Sequence, residues 1–292
     1  MANENNYSDS VIHHVWQELT SEDKEYAATH LNETDEIRKN AVAEIRCWIE
    51  DELRIRIDDF LILRFLRVCK FNLKNTKTRM RNYYKHRSDL PDWYMNKDPF
   101  RPELQEILDR GLILLLRKPD SRRRLVVIVR PTQLDPTIHK LSDLIKIGAM
   151  LAELILRDNV VASVYGCTVF IDVVKPTVRH LALCQPHILM NVIHSFQSCY
   201  PIKIQSINVI NASIFVNTVI KLMKSFMIEE MKNRFHVYRH MLRSCFKDVP
   251  ANILPIEYGG TDDTIQELVD YWKKLSKENR DWLMSAENDK IE

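Results

Sequence analysis

Along residues 1–90 apolar positions recur at helical spacing, and the segment reads as helix throughout. Thr20 is placed to cap a first helix, with Glu22 and Asp23 in its opening turn, where the helix dipole favours negative charge. Thr34 caps a second, in which Ile37, Ala41, Ile45, Trp48 and Ile49 fall at helical intervals. Asp58-Asp59 opens a third across residues 60–69, and Asn72 caps a fourth that runs to about Arg87, before the Leu90-Pro91 break. Asp98-Pro99 and Arg101-Pro102 mark a boundary. It divides the chain into a helical part, 1–98, and a second part, 99–292.

Beyond the boundary the pattern changes. Leu112–Leu116 and Leu125–Val129 are continuous apolar runs with Pro119-Asp120-Ser121 between them, as expected of two buried strands in a hairpin. A helix is predicted from about Ser142 to Arg157 and a strand over Cys167–Val174. Helices flank Pro186 between Thr177 and Ser198. Ile204–Ile210 reads as a strand, Ser213–Lys224 as a helix, Phe235–Tyr238 as a short last strand, and 263–284 as an amphipathic helix. Strands separated by helices predict the α/β class, with a largely parallel sheet flanked by helices and preceded by a helical bundle.

Composition narrows the functions. Apolar residues make up 45% and charged residues 28%, as in an ordinary soluble globular protein. Only 5 residues are glycine, which argues against glycine-rich phosphate loops. No apolar run exceeds five residues, whereas a membrane-spanning helix needs about 20. The polar opening, Met1–Ser10, has no secretory h-region, and the six cysteines form no CxxC pair, so a reducing, cytosolic setting is expected.

The net charge of +2 hides an asymmetry: residues 1–60 carry 6 basic and 15 acidic side chains, and residues 61–130 carry 18 and 7. Within 64–87 there are nine basic residues and no acid, and Lys74, Lys77, Arg81 and Lys85 make one stripe on one helix. Such a stripe suits a solvated face or an anionic lipid surface. Nucleic acid is not expected, because aromatic stacking groups on exposed strands are not evident. No GxSxG elbow, Walker loop or CxxxxxR loop occurs. His236 and His240 stand four apart without the acidic partner of a zinc site, and His187 and His194 read as core or lining residues. No enzyme activity, metal or cofactor is therefore expected.

Several motifs, in order, carry a resemblance. Asp58-Asp59-Phe60, the stretches LRFLRVCKFNL and RNYYKHR, Arg130-Pro131 with Leu134-Asp135-Pro136, Tyr200-Pro201-Ile202-Lys203, Ile207–Asn211, and Leu254–Gly260 (LPIEYGG) together resemble the CRAL-TRIO family, in its branch of tocopherol and retinaldehyde carriers. The resemblance implies a cytosolic carrier, monomeric and transiently membrane-associated, that shields one hydrophobic molecule such as tocopherol, a retinoid or another isoprenoid. It implies an apolar cavity under a movable lid helix. By position, the lining is Ile145, Ala149 and Ala152; Cys167, Val169 and Ile171; Val192, Phe196, Ile204 and Ile207; and Phe215, Val219, Ile220 and Met223 from the lid. The apolar and polar division of Ser213–Lys224 suits a lid that exchanges cavity for bilayer, and equally an ordinary core-facing helix.

Three departures stand out. Gly148 and Ala152 replace positions that often carry hydroxyls in tocopherol-carrier relatives, and Lys224-Ser225-Phe226 replaces the usual Lys-Pro-Phe after the lid. In the cluster that binds a phosphoinositide headgroup in relatives, Lys203 and Arg234 stay basic, while Cys69, Thr78 and Gln205 replace basic residues and Glu230 reverses a charge. Lys70 and Arg79 are basic neighbours counted with Lys203 and Arg234 as candidate anionic-lipid residues, although one residue away is about 100° round a helix, so they are expected to point elsewhere on it. The expected membrane contact is thus diffuse attraction to anionic lipid. The alternative reading of the family fold is a lipid-sensing module that regulates a protein partner without transferring lipid.

Overall fold

A computed structural model describes residues 19–55, 57–241 and 243–285. The opening Met1–Ser10 read above lies outside these.

Each early helix starts where a side chain caps it. Thr20, Thr34, Asp58 and Asn72 accept hydrogen bonds from the backbone N–H of Asp23, Ile37, Leu61 and Asn75, and so open the helices Ser21–Leu31, Asp35–Trp48, Asp59–Val68 and Leu73–Asp89. Each cap contributes about 1 kcal/mol. Ile45, Ile62, Phe65, Leu66 and Met80 are fully buried where these helices meet. The same cluster takes in Ala149, Leu156, Cys199 and Tyr200 from the second part of the chain, so the helical part and the sheet part share a core.

The sheet has five strands in the order β1 (Ile113–Leu115), β2 (Leu125–Val129), β3 (Cys167–Asp172), β4 (Ile204–Ile210) and β5 (Phe235–Val237). β1 and β2 form the antiparallel hairpin; every other pairing is parallel. One face packs on the helices Leu141–Asp158, Pro186–His194 and Asn217–Ser225; the other packs on residues 243–258 and the helix Ile265–Glu278. The turn into β3 requires Gly166: its φ is +76°, and a Cβ there would lie 2.2 Å from the carbonyl oxygen of Lys203.

The LPIEYGG stretch has a structural explanation. Tyr258 donates to Asp172 Oδ2 at 2.8 Å, Asn211 donates to Asp172 Oδ1 at 2.8 Å, and Asn211 accepts from the Met241 N–H at 3.0 Å. These bonds tie the ends of β3 and β4 to the closing segment. Gly260 sits so close to the Leu254 carbonyl that a Cβ would lie 1.7 Å from its oxygen.

Short helices at Pro102–Asp109, Val160–Tyr165 and Glu229–Asn233 were not predicted. Each spans about two turns or fewer, too few for periodicity to register. The predicted closing helix is two, Ile265–Glu278 and Arg280–Ser285.

Three of the four residues of the basic stripe find acid partners among the described residues. Lys77 meets Glu44 at 3.0 Å, Arg81 meets Glu52, and Lys85 meets Asp89 at 3.0 Å. Two acids of residues 1–60 thus meet the stripe and Lys85 pairs within its own helix, which favours the solvated-face reading for most of this stripe.

Candidate functional site

The two faces of the sheet are packed differently. On the side away from the first helices, Val126, Ile128, Phe170 and Asp172 are all buried. On the opposite side of the same strands Val127, Val129, Val169 and Ile171 are only half-buried, although β3 is the central strand and helices cover it. A close-packed layer would seal such positions. Packing is therefore incomplete here, and accessible apolar surface remains as a hollow between the sheet and its helices. Leu181 and Leu183 on the short helix Val178–Leu183, and Ile188, Val192, Val219 and Met223 on the covering helices, are half-buried too.

The residues assigned to the lining distribute as follows. Cys167, Ile204 and Ile207 are buried on the helix-facing side, beside Val169 and Ile171. Ile145, Ala149 and Ala152 form a stripe on Leu141–Asp158 that packs, with Val192, in the cluster shared with the first helices. The lid segment is a 3-10 turn, Ile214–Val216, followed by the helix Asn217–Ser225. Ile220 is buried and Met223 half-buried against the sheet core, and Val219 is half-buried beside them. Two aromatics sit elsewhere. Phe215 is 70% exposed, next to Ile214 at 75%. Phe196 is 40% exposed and stacks on Tyr200 at 5.9 Å, outside the hollow. Helical periodicity carried no signal for either: Phe215 lies in the 3-10 turn and Phe196 in a π turn, Ser195–Cys199.

Phe196 instead borders a second feature, a pocket of about 420 Å³ lined by Cys69, Lys70, Thr78, Arg79, Lys203, Glu230 and Arg234 among others. It brings Lys70 and Arg79 to the same place as Lys203 and Arg234, which corrects the expectation that they point elsewhere. Lys70 is past the end of its helix, at φ +50°, so helical geometry no longer fixes its direction. Arg79 donates to the carbonyls of Tyr200 at 2.8 Å and Gln197 at 2.6 Å, clamping the π turn to Leu73–Asp89. Arg234 pairs with Glu230 and donates to the Ile204 carbonyl at 2.9 Å. Lys70 and Lys203 have no acid partner among the described residues. Burial, then Arg234 and Lys70, hold the Lys203 amine below its ordinary pKa. An anion in the pocket would relieve that crowding. Gln205 points its amide at the Tyr165 carbonyl, 3.2 Å away.

The wall between the first helices and Pro186–His194 holds a histidine pair. His86 is 5% exposed, bonded through Nδ1 to the Tyr94 hydroxyl at 2.9 Å, with the His194 ring centroid 5.7 Å away. Burial, and then His194, push the His86 pKa down to about 4. The folded protein holds this ring neutral, so below about pH 6.5 the unfolded chain binds the extra proton and stability falls. The loss develops from pH 6.5 down to about 4 and totals about 3 kcal/mol. Urea unfolding at a series of pH values checks this; His86→Phe flattens the slope in that window. His187 is exposed on the same helix as His194, His236 is on β5, and His240 lies in the turn beyond it, so the last two do not share a helix face. Among the described residues no cluster of three or more metal-ligating side chains occurs, and no helix is long and apolar enough to cross a membrane.

A helical bundle joined to a mostly parallel sheet, with accessible apolar surface under a short amphipathic helix and a separate basic pocket, is an arrangement able to take up an apolar molecule. Comparison with known sequences agrees. The CRAL/TRIO domain profile matches residues 109–260, just over half of the chain, and a Pinta-like UBA domain profile matches residues 34–104. The chain belongs to the CRAL/TRIO family, a family of lipid-binding and lipid-transfer proteins. It is 28% identical to the alpha-tocopherol transfer protein-like protein of Mus musculus, over 80% of this chain and 68% of that one. It is 24% identical to clavesin-1 of Pongo abelii, over 85% and 71%. The crystal structure of Sfh5 superposes with a TM-score of 0.56 at 15% identity, covering 83% of this chain and 98% of that one, which extends the likeness of fold.

Proposed function

We propose that this protein is a cytosolic, non-enzymatic carrier. It binds one small hydrophobic lipid of the tocopherol, retinoid or isoprenoid kind in the apolar hollow and exchanges it at anionic membranes. The observation that carries the reading is the half-buried state of Val169 and Ile171 on the central strand, beneath helices. The division at about residue 98 separates the helical part that braces the site from the part that holds the lipid. Liposome-to-liposome transfer of a fluorescent retinoid tests it. Saturable, protein-dependent transfer supports a carrier; tight binding without transfer supports the lipid-sensing alternative.

Ile214–Ser225 serves as the gate. A ligand of isoprenoid size buries about 300–400 Å² of apolar surface, so its escape into water costs about 8–10 kcal/mol at 25 cal/mol per Å². Release is then slow unless a membrane binds the open state and shifts the population toward it. Ile214 and Phe215 are already exposed and make first contact with the bilayer; Val219, Ile220 and Met223 follow when the helix lifts. Phe215→Glu leaves stability within about 0.5 kcal/mol, because the side chain is on the surface. It slows retinoid release to anionic liposomes while leaving the spontaneous off-rate unchanged. Equal membrane-stimulated rates for variant and wild type would remove the turn from the mechanism.

The basic pocket supplies the electrostatic part of docking, with Lys203, Lys70 and Arg234 toward the anion and Arg79 as a structural clamp. Glu230→Lys replaces a negative by a positive charge and releases Arg234. At about 1 kcal/mol per charge near an anionic surface, it strengthens binding to phosphatidylserine or phosphoinositide vesicles by about 2 kcal/mol, and salt reduces the gain. Sedimentation with vesicles at two salt concentrations measures it.

A further inference from the structure

The face of the sheet turned away from the lipid hollow is apolar at Val126, Ile128, Phe170 and Ile210. It becomes polar at one end. Thr168 on β3 lies opposite Ser206 on β4, and Asn208 on β4 lies opposite His236 on β5, so the four share this face. They line a pocket of about 390 Å³ with Arg122 and Arg124 from the turn before β2, Tyr238 after β5, and Lys247 and Asp248 from the closing segment.

The internal bonds leave specific groups over. Thr168 and Ser206 share a 2.5 Å hydrogen bond, and Asn208 donates to Ser206 at 3.0 Å. Asn208 is 6% exposed, yet its carbonyl oxygen accepts nothing from any described residue. The oxygen is not sealed from solvent, so it is open to accept from a group entering the pocket. Asp120 and Asp248 engage Arg124, and Asp248 also meets Arg122 at 3.1 Å, so those charges balance. Lys247 is exposed and has no acid partner among the described residues, and the Tyr238 hydroxyl has no hydrogen-bond partner among them. The pocket thus offers an acceptor and hydroxyls on its floor and one unbalanced cation at its rim.

We propose that this pocket is a second binding site, separate from the lipid hollow, for a small hydroxylated anion of the phosphate-ester class. The ligand's hydroxyl donates to Asn208, and its phosphate is held by Lys247 and the Tyr238 hydroxyl. The phosphate ester comes either as a free small molecule or as a lipid headgroup, and the two are separated by probe.

Isotope-labelled full-length protein is titrated with glycerol 3-phosphate and, separately, with phosphatidylcholine vesicles containing phosphatidylglycerol. The amide signals of Ser206, Asn208 and His236 are followed. Saturable shifts with glycerol 3-phosphate assign a free ligand; shifts only with the vesicles assign a headgroup. Lys247→Glu and Ser206→Ala each weaken binding at least tenfold, whereas Val178→Asp, exposed and outside both pockets, leaves it unchanged. Lys247 is on the surface, so its replacement does not threaten folding. No saturable shift with either probe at millimolar concentration, or equal binding by both pocket variants and wild type, overturns the proposal.

Discussion

Glu153→Leu lowers the stability of the fold by about 3–5 kcal/mol, because it leaves buried cations without their carboxylate. Glu153 lies on Leu141–Asp158, a wall of the hollow, and receives Arg87 at 2.6 Å and Lys97 from the first part of the chain. The side chains of Arg87 and Glu153 are 9% exposed and that of Lys97 is 0% exposed. Burial opposes ionisation of Glu153, but Lys97 and Arg87 outweigh it and hold its pKa below the ordinary value. Arg87 also lies over the rings of Tyr83 and Tyr94, 5.3 and 5.2 Å from their centroids. The carboxylate thus fastens the helical part to the lipid-binding part through two charges. Adding Lys97→Met recovers part of the loss, since removing both members of a buried pair costs far less than removing one. Urea unfolding of the single and double variants measures both effects. A loss under about 1 kcal/mol for Glu153→Leu shows that water reaches the cations.

Ile171→Asp abolishes binding of a fluorescent retinoid. Ile171 sits on the central strand, level with Val129 on β2 and Val209 on β4, on the face that borders the hollow. A carboxylate there is surrounded by apolar groups, and an apolar ligand against it costs several kcal/mol, enough to lower affinity by more than a hundredfold. Val178→Asp is the control, because Val178 is exposed and its replacement leaves binding unchanged. Circular dichroism establishes that both variants are folded. Wild-type affinity in folded Ile171→Asp moves the lipid away from the central strand.

Much of the architecture was legible because it is local. Thr20, Thr34, Asp58 and Asn72 announce helix starts by residue type, and Leu125–Val129 and Ile204–Ile210 announce strands by apolar runs. The site was less legible because it is assembled from distant parts. Lys97 and Glu153 lie 56 residues apart, and Arg79 reaches Tyr200 across 121. Lys70 was misdirected by helical geometry that stops at Val68. The basic stripe invited an external anion, yet Glu44 and Glu52 were its nearest acids in space. Phe196 and Phe215 kept their apolar character but lost their expected direction where the chain leaves the α-helix.

The crowded cations around Lys203 also give the molecule a built-in chemical reporter. An amine held below its ordinary pKa by burial, Arg234 and Lys70 carries more free base at neutral pH than a solvated lysine does. Lys203 should therefore be acylated early by a limiting dose of an amine-directed reagent. Any anion that settles in the pocket restores its proton and covers it, so the extent of labelling at this one lysine, read by peptide mass spectrometry, records headgroup occupancy without a tag on lipid or protein.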